Sequence, residues 1–266
     1  MAAAKTRKSK TGTLVALGLL FSLGVVLFVQ LTDVTVAPPP SMSPQATLLT
    51  DPFLQAPTES SVQVVWFTEF EGREHSVIYR DRTVAATTTQ LSRTREDAQS
   101  QTAIPYEQVT RRPIWRHEAT IDGLRPQQRV PYSVVSTTDS GTPIQSDSFT
   151  LSPLPVAGQS LKILLTSDHQ MMPMTAANLQ KVDETIDQVD GIFLAGDLVN
   201  IPDRASEWFD DVRGGSFFPC LQGRGNYTLV KNNISTVYKG GQLIQNAPLF
   251  PAVGNHEVMG RYSNTT

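Results

Sequence analysis

Three apolar runs toward the end of this sequence each stop at side chains that can bind a cation or move a proton. Leu161 to Thr166 leads into Ser167-Asp168-His169-Gln170. Ile192 to Ala195 leads into Gly196-Asp197-Leu198-Val199-Asn200. Ala247 to Val253 leads into Gly254-Asn255-His256-Glu257. Carboxylates, amide oxygens and imidazoles are the donors that hard cations take. Two such cations, about 3.5 to 4 Å apart, can clamp a phosphoryl group. An imidazole beside them can protonate a leaving oxygen. A single aspartate after a strand would mean no more than a turn or a cap. Three donor-bearing strand ends in succession point to a site, because ligands of open α/β sheets lie beyond the carboxyl ends of the strands.

The elements that must position these tips follow from the pattern around them. Between the first two runs, Leu179, Val182, Ile186 and Val189 recur at three- and four-residue steps, which predicts a helix over about 175–190 with one apolar face. Thr175 fits its N-cap and Gly191 its end. A helical crossover makes the flanking strands parallel. Met171, Met172 and Met174 are expected to be flexible packing. The stretch Asn200 to Asn246 is long for a connection between strands, and its aromatic residues suggest a lid or rim.

Upstream, from about Ala46 to Ser152, the period changes to two. Val62, Val64 and Trp66 alternate with Ser61, Gln63 and Val65. Glu71-Gly72, Asp122-Gly123 and Asp139-Ser140-Gly141 punctuate further short runs. This pattern predicts an antiparallel β-sandwich. The polar stretch Asp81 to Arg112 reads as a long loop or insertion. His75 and His117 stand alone in the sequence and are expected in ordinary surface or packing roles.

At the start, Lys5, Arg7, Lys8 and Lys10 precede an uncharged apolar run, Leu14 to Leu31. Such a run is roughly 27 Å long as a helix and suits a membrane anchor with the globular part extracytoplasmic. A cleaved signal peptide is the alternative, disfavoured by the length of the run and by Pro38. Residues 36–45 form a Pro-rich tether. The 266 residues carry a net charge of −3, which gives no support for a nucleic-acid partner. Cys220 is the only cysteine, so there is no internal disulfide and no cysteine metal cluster.

The three tips, in this order and spacing, resemble the first three motifs of the calcineurin-like metallophosphoesterases, and Gly254-Asn255-His256-Glu257 is the most specific of them. Pro52-Phe53-Leu54, Val62 to Thr68 and His117 to Pro126 resemble the fibronectin-III-like N-terminal domain of purple acid phosphatases. The resemblance implies phosphate-ester hydrolysis at two divalent or trivalent ions of iron, manganese or zinc. Asp168 would bind the first ion, Asp197 would bridge both and Asn255 would bind the second. His256 would face the phosphate near the leaving group. Gln170 stands where the family carries histidine or glycine, which leaves at most a weak amide ligand. Asn200 stands where purple acid phosphatases carry a metal-bound tyrosine, so the purple absorption band is expected to be absent.

The family draws further histidines from two later motifs, for which nothing after Glu257 offers a counterpart. The expectation is a fragment, the product of an interrupted gene, or a chain completed by a missing C-terminal half or a partner chain, with weak activity on its own. The expected fold is mixed. A transmembrane helix lies in 1–35, a fibronectin-III-like sandwich in 46–152, and the first half of an α/β metallophosphoesterase sandwich in 160–266. The competing functional reading is a membrane-tethered β-sandwich binding module with a vestigial phosphatase half.

Overall fold

The computed structural model describes residues 46–186 and 188–258. The chain divides into two compact units, Met1–Gln45 and Ala46–Thr266, and every described residue lies in the second.

Two antiparallel sheets come first. One has the order β1 (Phe53–Gln55), β2 (Val62–Thr68), β8 (Trp115–Ile121), β5 (Thr87–Gln90). The other has the order β10 (Pro143–Gln145), β9 (Val130–Thr137), β3 (Glu74–Tyr79), β4 (Arg82–Ala85), with β11 (Phe149–Leu151) also on β9. Their shared core holds Val64, Trp66, Ala119 and Ile121 from the first sheet against Val77, Tyr79, Tyr132 and Val134 from the second. A parallel sheet of order β12 (Ile163–Thr166), β13 (Gly191–Leu194), β16 (Leu249–Pro251) follows. The amphipathic helix α1 (Thr175–Ile186) makes the crossover from β12 to β13. It buries Ala176 and Leu179.

Strand β2 is apolar on both faces, beyond what its period-two reading implied. Val65 and Phe67 turn away from the sandwich core and join Phe53 in a second core with Ile192, Leu194 and Leu249 of the parallel sheet. The short helices α2 (Ala205–Phe209) and α3 (Phe217–Leu221) supply Phe209, Phe217 and Phe218 to this seam. Ring centroids stand 5.3 Å apart for Phe67–Phe209, 5.4 Å for Phe67–Phe218 and 5.1 Å for Phe53–Phe218. Cys220 is buried in the same core, and burial pushes its thiol up to about 12.

The expected mixed fold is corrected. The described residues are mostly β-sheet, sixteen strands against four helices. Only α1, with 12 residues, exceeds two turns. The physical reason is that two stretches expected to be irregular form strands instead, and that no long helix links β13 to β16. Asp81 to Arg112 contributes β4, β5, β6 (Arg95–Glu96) and β7 (Thr110–Arg111). The link after β13 holds α2, α3 and the hairpin β14 (Tyr227–Lys231)–β15 (Ile234–Tyr238). The apolar run Leu14 to Leu31, expected to cross a membrane, lies outside the described residues. Among the described residues no helix is long and apolar enough to do so.

The polar stretch folds because its charges are paired inside the protein. Glu96 is fully buried. It accepts hydrogen bonds from Ser206 N at 2.7 Å, Ser206 Oγ at 2.9 Å and Arg112 Nη1 at 3.1 Å. Arg112 also reaches Asp210 at 2.5 Å and Glu69 at 2.6 Å. Arg204 reaches Asp97 and Glu207, both at 3.0 Å. A buried charge left without its partner costs several kcal/mol, of order 3–5. These bonds therefore fix the 81–112 segment to the link after β13.

His75 and His117 are not isolated. They come from opposite sheets and stack at 3.6 Å between centroids. His75 Nδ1 bonds Ser136 Oγ at 2.8 Å and His117 Nε2 bonds Thr68 Oγ1 at 2.8 Å. Burial pushes His117 down to about 3, with the neighbouring His75 adding to the effect. Burial lowers His75 as well. Both values lie below the free imidazole value of 6.5, so as pH falls the unfolded chain takes up protons first. Stability from this pair is complete above about pH 6.5 and is lost downward toward the folded values, by up to ~1.4 kcal/mol per pH unit for His117, with His75 acting in the same direction. Urea unfolding between pH 6.5 and 4 should show this slope, and the double variant His75→Gln/His117→Gln should flatten it. Equal slopes in the two proteins would remove the pair as its cause.

One face of the parallel sheet has no cover among the described residues. Ile163 is 53% exposed, Leu165 73% and Phe193 39%. Parallel sheets ordinarily bury both faces. An apolar face of this kind promotes association. Leu165→Lys should cut dye binding by 8-anilinonaphthalene-1-sulfonate and light scattering, with stability within about 0.5 kcal/mol of the parent as for a surface change. Unchanged dye binding would show that the exposed probe surface lies elsewhere.

Candidate functional site at the strand tips

The parallel register sets the tips side by side. Thr166 pairs with Leu194, and Leu194 with Pro251. Beyond these pairs the three loops bond to one another. Asp168 N donates to Gly196 O at 3.3 Å, and Gln170 N to Leu198 O at 3.1 Å. Asp168 and Asp197 both adopt left-handed backbone, with φ of +53° and +54°. Such a conformation is strained for a residue with a side chain and costs of order 1–3 kcal/mol. Gly196, at φ +89°, makes the approach of the loops possible, since a Cβ there would lie 2.6 Å from Gly254 Cα. A Cβ on Gly254 would collide with the backbone nitrogen and carboxylate of Asp197.

The third tip opens the short helix α4 (Asn255–Val258). His256 N donates to Asp197 Oδ1 at 3.0 Å. His256 Nδ1 lies 2.9 Å from Asn200 O, and because a carbonyl only accepts, Nδ1 carries the hydrogen. Nε2 is then the atom available for a substrate proton. Asn200 thus contributes through its backbone carbonyl, and its backbone nitrogen donates to Glu207 Oε2 at 2.8 Å. Glu207 in turn accepts from Ile201 N at 3.0 Å and from Arg204.

Of the residues singled out from the sequence, Asp197, His256 and Asn200 are joined by direct hydrogen bonds. Asp168 and Gln170 reach the neighbouring loop through their backbone nitrogens. Asn255 lies between Gly254 and His256 on the same turn, exposed. His169 is turned inward and buried, with Nε2 3.2 Å from Thr166 Oγ1, and burial pushes its imidazole down to about 4. Sequence reasoning left Glu257 without a role. Its carboxylate accepts from Asp197 N at 2.9 Å, Leu198 N at 2.8 Å and Gly254 N at 2.8 Å. Its place as the last residue of the glycine-led motif was the available signal. Glu207 and Glu96 carried no comparable one.

Among the described residues no three histidine, cysteine, aspartate or glutamate side chains gather into a group that could hold a metal. The donors at the tips are the carboxylates of Asp168 and Asp197 and the amide of Asn255. This oxygen set fits one oxygen-seeking divalent cation such as Mn²⁺ or Mg²⁺. A cavity of about 400 Å³ adjoins the site, lined by Phe67, Leu91, Pro202, Trp208 and Glu257, with Arg93 and Asp203 at 3.2 Å from each other.

No family model matches the sequence, and no curated protein matches it. Solved structures do. A purple acid phosphatase from yellow lupin (Lupinus luteus) seeds aligns over 77% of this chain with a TM-score of 0.55 and 18% identity. PhoD aligns over 85% at 11% identity with a TM-score of 0.43. The chain spans 35% of the lupin protein and 42% of PhoD. At 18% identity the likeness is one of fold: this chain folds like the corresponding third of a purple acid phosphatase.

Proposed function

We propose that the chain carries part of a metal-dependent phosphoesterase site. The single observation behind this reading is the hydrogen-bonded meeting of the three strand tips, with two aspartates in strained left-handed backbone and His256 fixed beside them. The phosphatase-like fold adds to it. Asp168, Asp197 and Asn255 would hold an oxygen-seeking cation, which neutralises phosphate charge when bound. His256, oriented by the Asn200 carbonyl, turns Nε2 toward the leaving oxygen and passes it a proton in the form that carries hydrogen on both ring nitrogens. The adjoining cavity gives an apolar group on the ester a place to lie. The fibronectin-III-like assignment of the sandwich belongs to the same reading. The two-ion chemistry of iron, manganese or zinc needs imidazole ligands that the described residues do not bring to the tips. Weak hydrolysis by the chain alone is therefore expected.

The alternative of a membrane-tethered β-sandwich binding module with a vestigial phosphatase half draws no support from β2, whose second face is covered by the aromatic seam.

Titration calorimetry of the 266-residue chain with Mn²⁺ tests the proposal. One binding event is expected, weakened at least about tenfold, or ~1.4 kcal/mol, in Asp197→Ala. Mn²⁺ binding unchanged in that variant, or absent from the parent, would overturn the assignment.

A further inference from the structure

The charge balance at the tips leaves one carboxylate unaccounted for by ligand or proton-transfer roles. Both carboxylate oxygens of Glu257 are taken up by backbone N–H groups. Its Oε2 accepts from the backbone nitrogens of Asp197 and Gly254, and its Oε1 from that of Leu198. Two of these donors belong to the loop after β13, and the third belongs to the loop after β16. Glu257 is therefore a tie between two loops, made by a single oxygen that both share.

The tie falls where the backbone is strained. Asp197 stands at φ +54°. Residues in such conformations persist only where the surroundings over-determine them. The carboxylate bonds the amide of Asp197 and that of the following residue, so it acts directly on this turn. Hydrogen bonds to a charged acceptor are roughly twice as strong as neutral ones. The same turn presents the Asp197 carboxylate, whose Oδ1 accepts from His256 N. Gly254 must remain bare for Asp197 to sit there, so the two loops close without a side chain between them.

We infer that Glu257 is a positioning residue, whose carboxylate holds Asp197 in its left-handed conformation and docks the Gly254 loop against it, so that the cation and proton-donor groups keep one geometry. This rests on the proposed metal-dependent reading only for its consequence on cation binding; the tie itself rests on the hydrogen bonds.

The test compares the 266-residue chain with Glu257→Ala and Glu257→Gln. Amide hydrogen exchange reads the tie, and Mn²⁺ calorimetry reads its consequence. In Glu257→Ala the amides of Asp197, Leu198 and Gly254 should exchange faster while those of β2 and β8 stay unchanged, and Mn²⁺ affinity should fall about 10- to 100-fold, as for loss of an orienting outer group. Glu257→Gln keeps one carbonyl oxygen for the Asp197 and Gly254 nitrogens and turns its amide group toward Leu198 N. It should restore most of the protection at Asp197 and Gly254 and recover much of the affinity. Wild-type exchange at all three amides in Glu257→Ala would overturn the inference. So would accelerated exchange with unchanged Mn²⁺ affinity. If Glu257→Ala unfolds as a whole, Glu257→Gln decides by its loss of protection at Leu198 alone. If the parent chain binds no Mn²⁺, the metal-dependent reading fails, and amide exchange still decides whether Glu257 ties the loops.

Discussion

Everything at the tips depends on β2 being buried twice. Val64 and Trp66 face one core, and Val65 and Phe67 face another. Burying a side chain of this size contributes roughly 1.5–3 kcal/mol. The Phe67 ring packs on Phe209 and Phe218, and so sets where α2 and α3 lie. Glu207, on α2, then holds the backbone of Asn200, whose carbonyl orients His256. An imidazole in the last described turn is thus placed through packing that begins on the second strand.

The charged network works in parallel with that packing. Glu96 and Arg112 come from a stretch rich in polar residues, yet both are buried and bonded to the elements after β13. Such pairs add little net stability over apolar replacements, since desolvation offsets most of the attraction. Their effect is to fix one arrangement: a shifted register would strand a charge without its partner. Aromatic contacts are tolerant of small displacements, whereas these bonds are not, and the two together locate α2 to within a hydrogen bond.

The tips themselves were legible in the sequence because an apolar run that ends in Gly-Asp or Gly-Asn-His is a local signal. So were α1 and the antiparallel pairing upstream, which follow from periods of 3.6 and 2. The second face of β2 was not legible. Val65 and Phe67 look like ordinary interruptions of an alternating strand until the partner surface is known. The segment from Asp81 to Arg112 misled for a related reason, since polarity signals solvent only when charges lack partners, and several of its partners lie more than ninety positions away at Asp203 to Asp210. His75 and His117 looked solitary because stacking across two sheets leaves no trace in sequence spacing. Glu257 was visible as a letter of its motif, but its three acceptor bonds depend on loop geometry that no spacing encodes.

The shared strand also bears on how such a chain can change over generations. A module with its own closed core can be lost, copied or joined to a new neighbour without harm to itself. Here a gene segment for Ala46 to Ser152 alone would leave Phe53, Val65 and Phe67 bare, and one for the later segment alone would lack the surface on which Phe209 and Phe218 rest. Recombination between the two would bare these faces, so the sandwich and the strand tips are expected to be inherited as one piece.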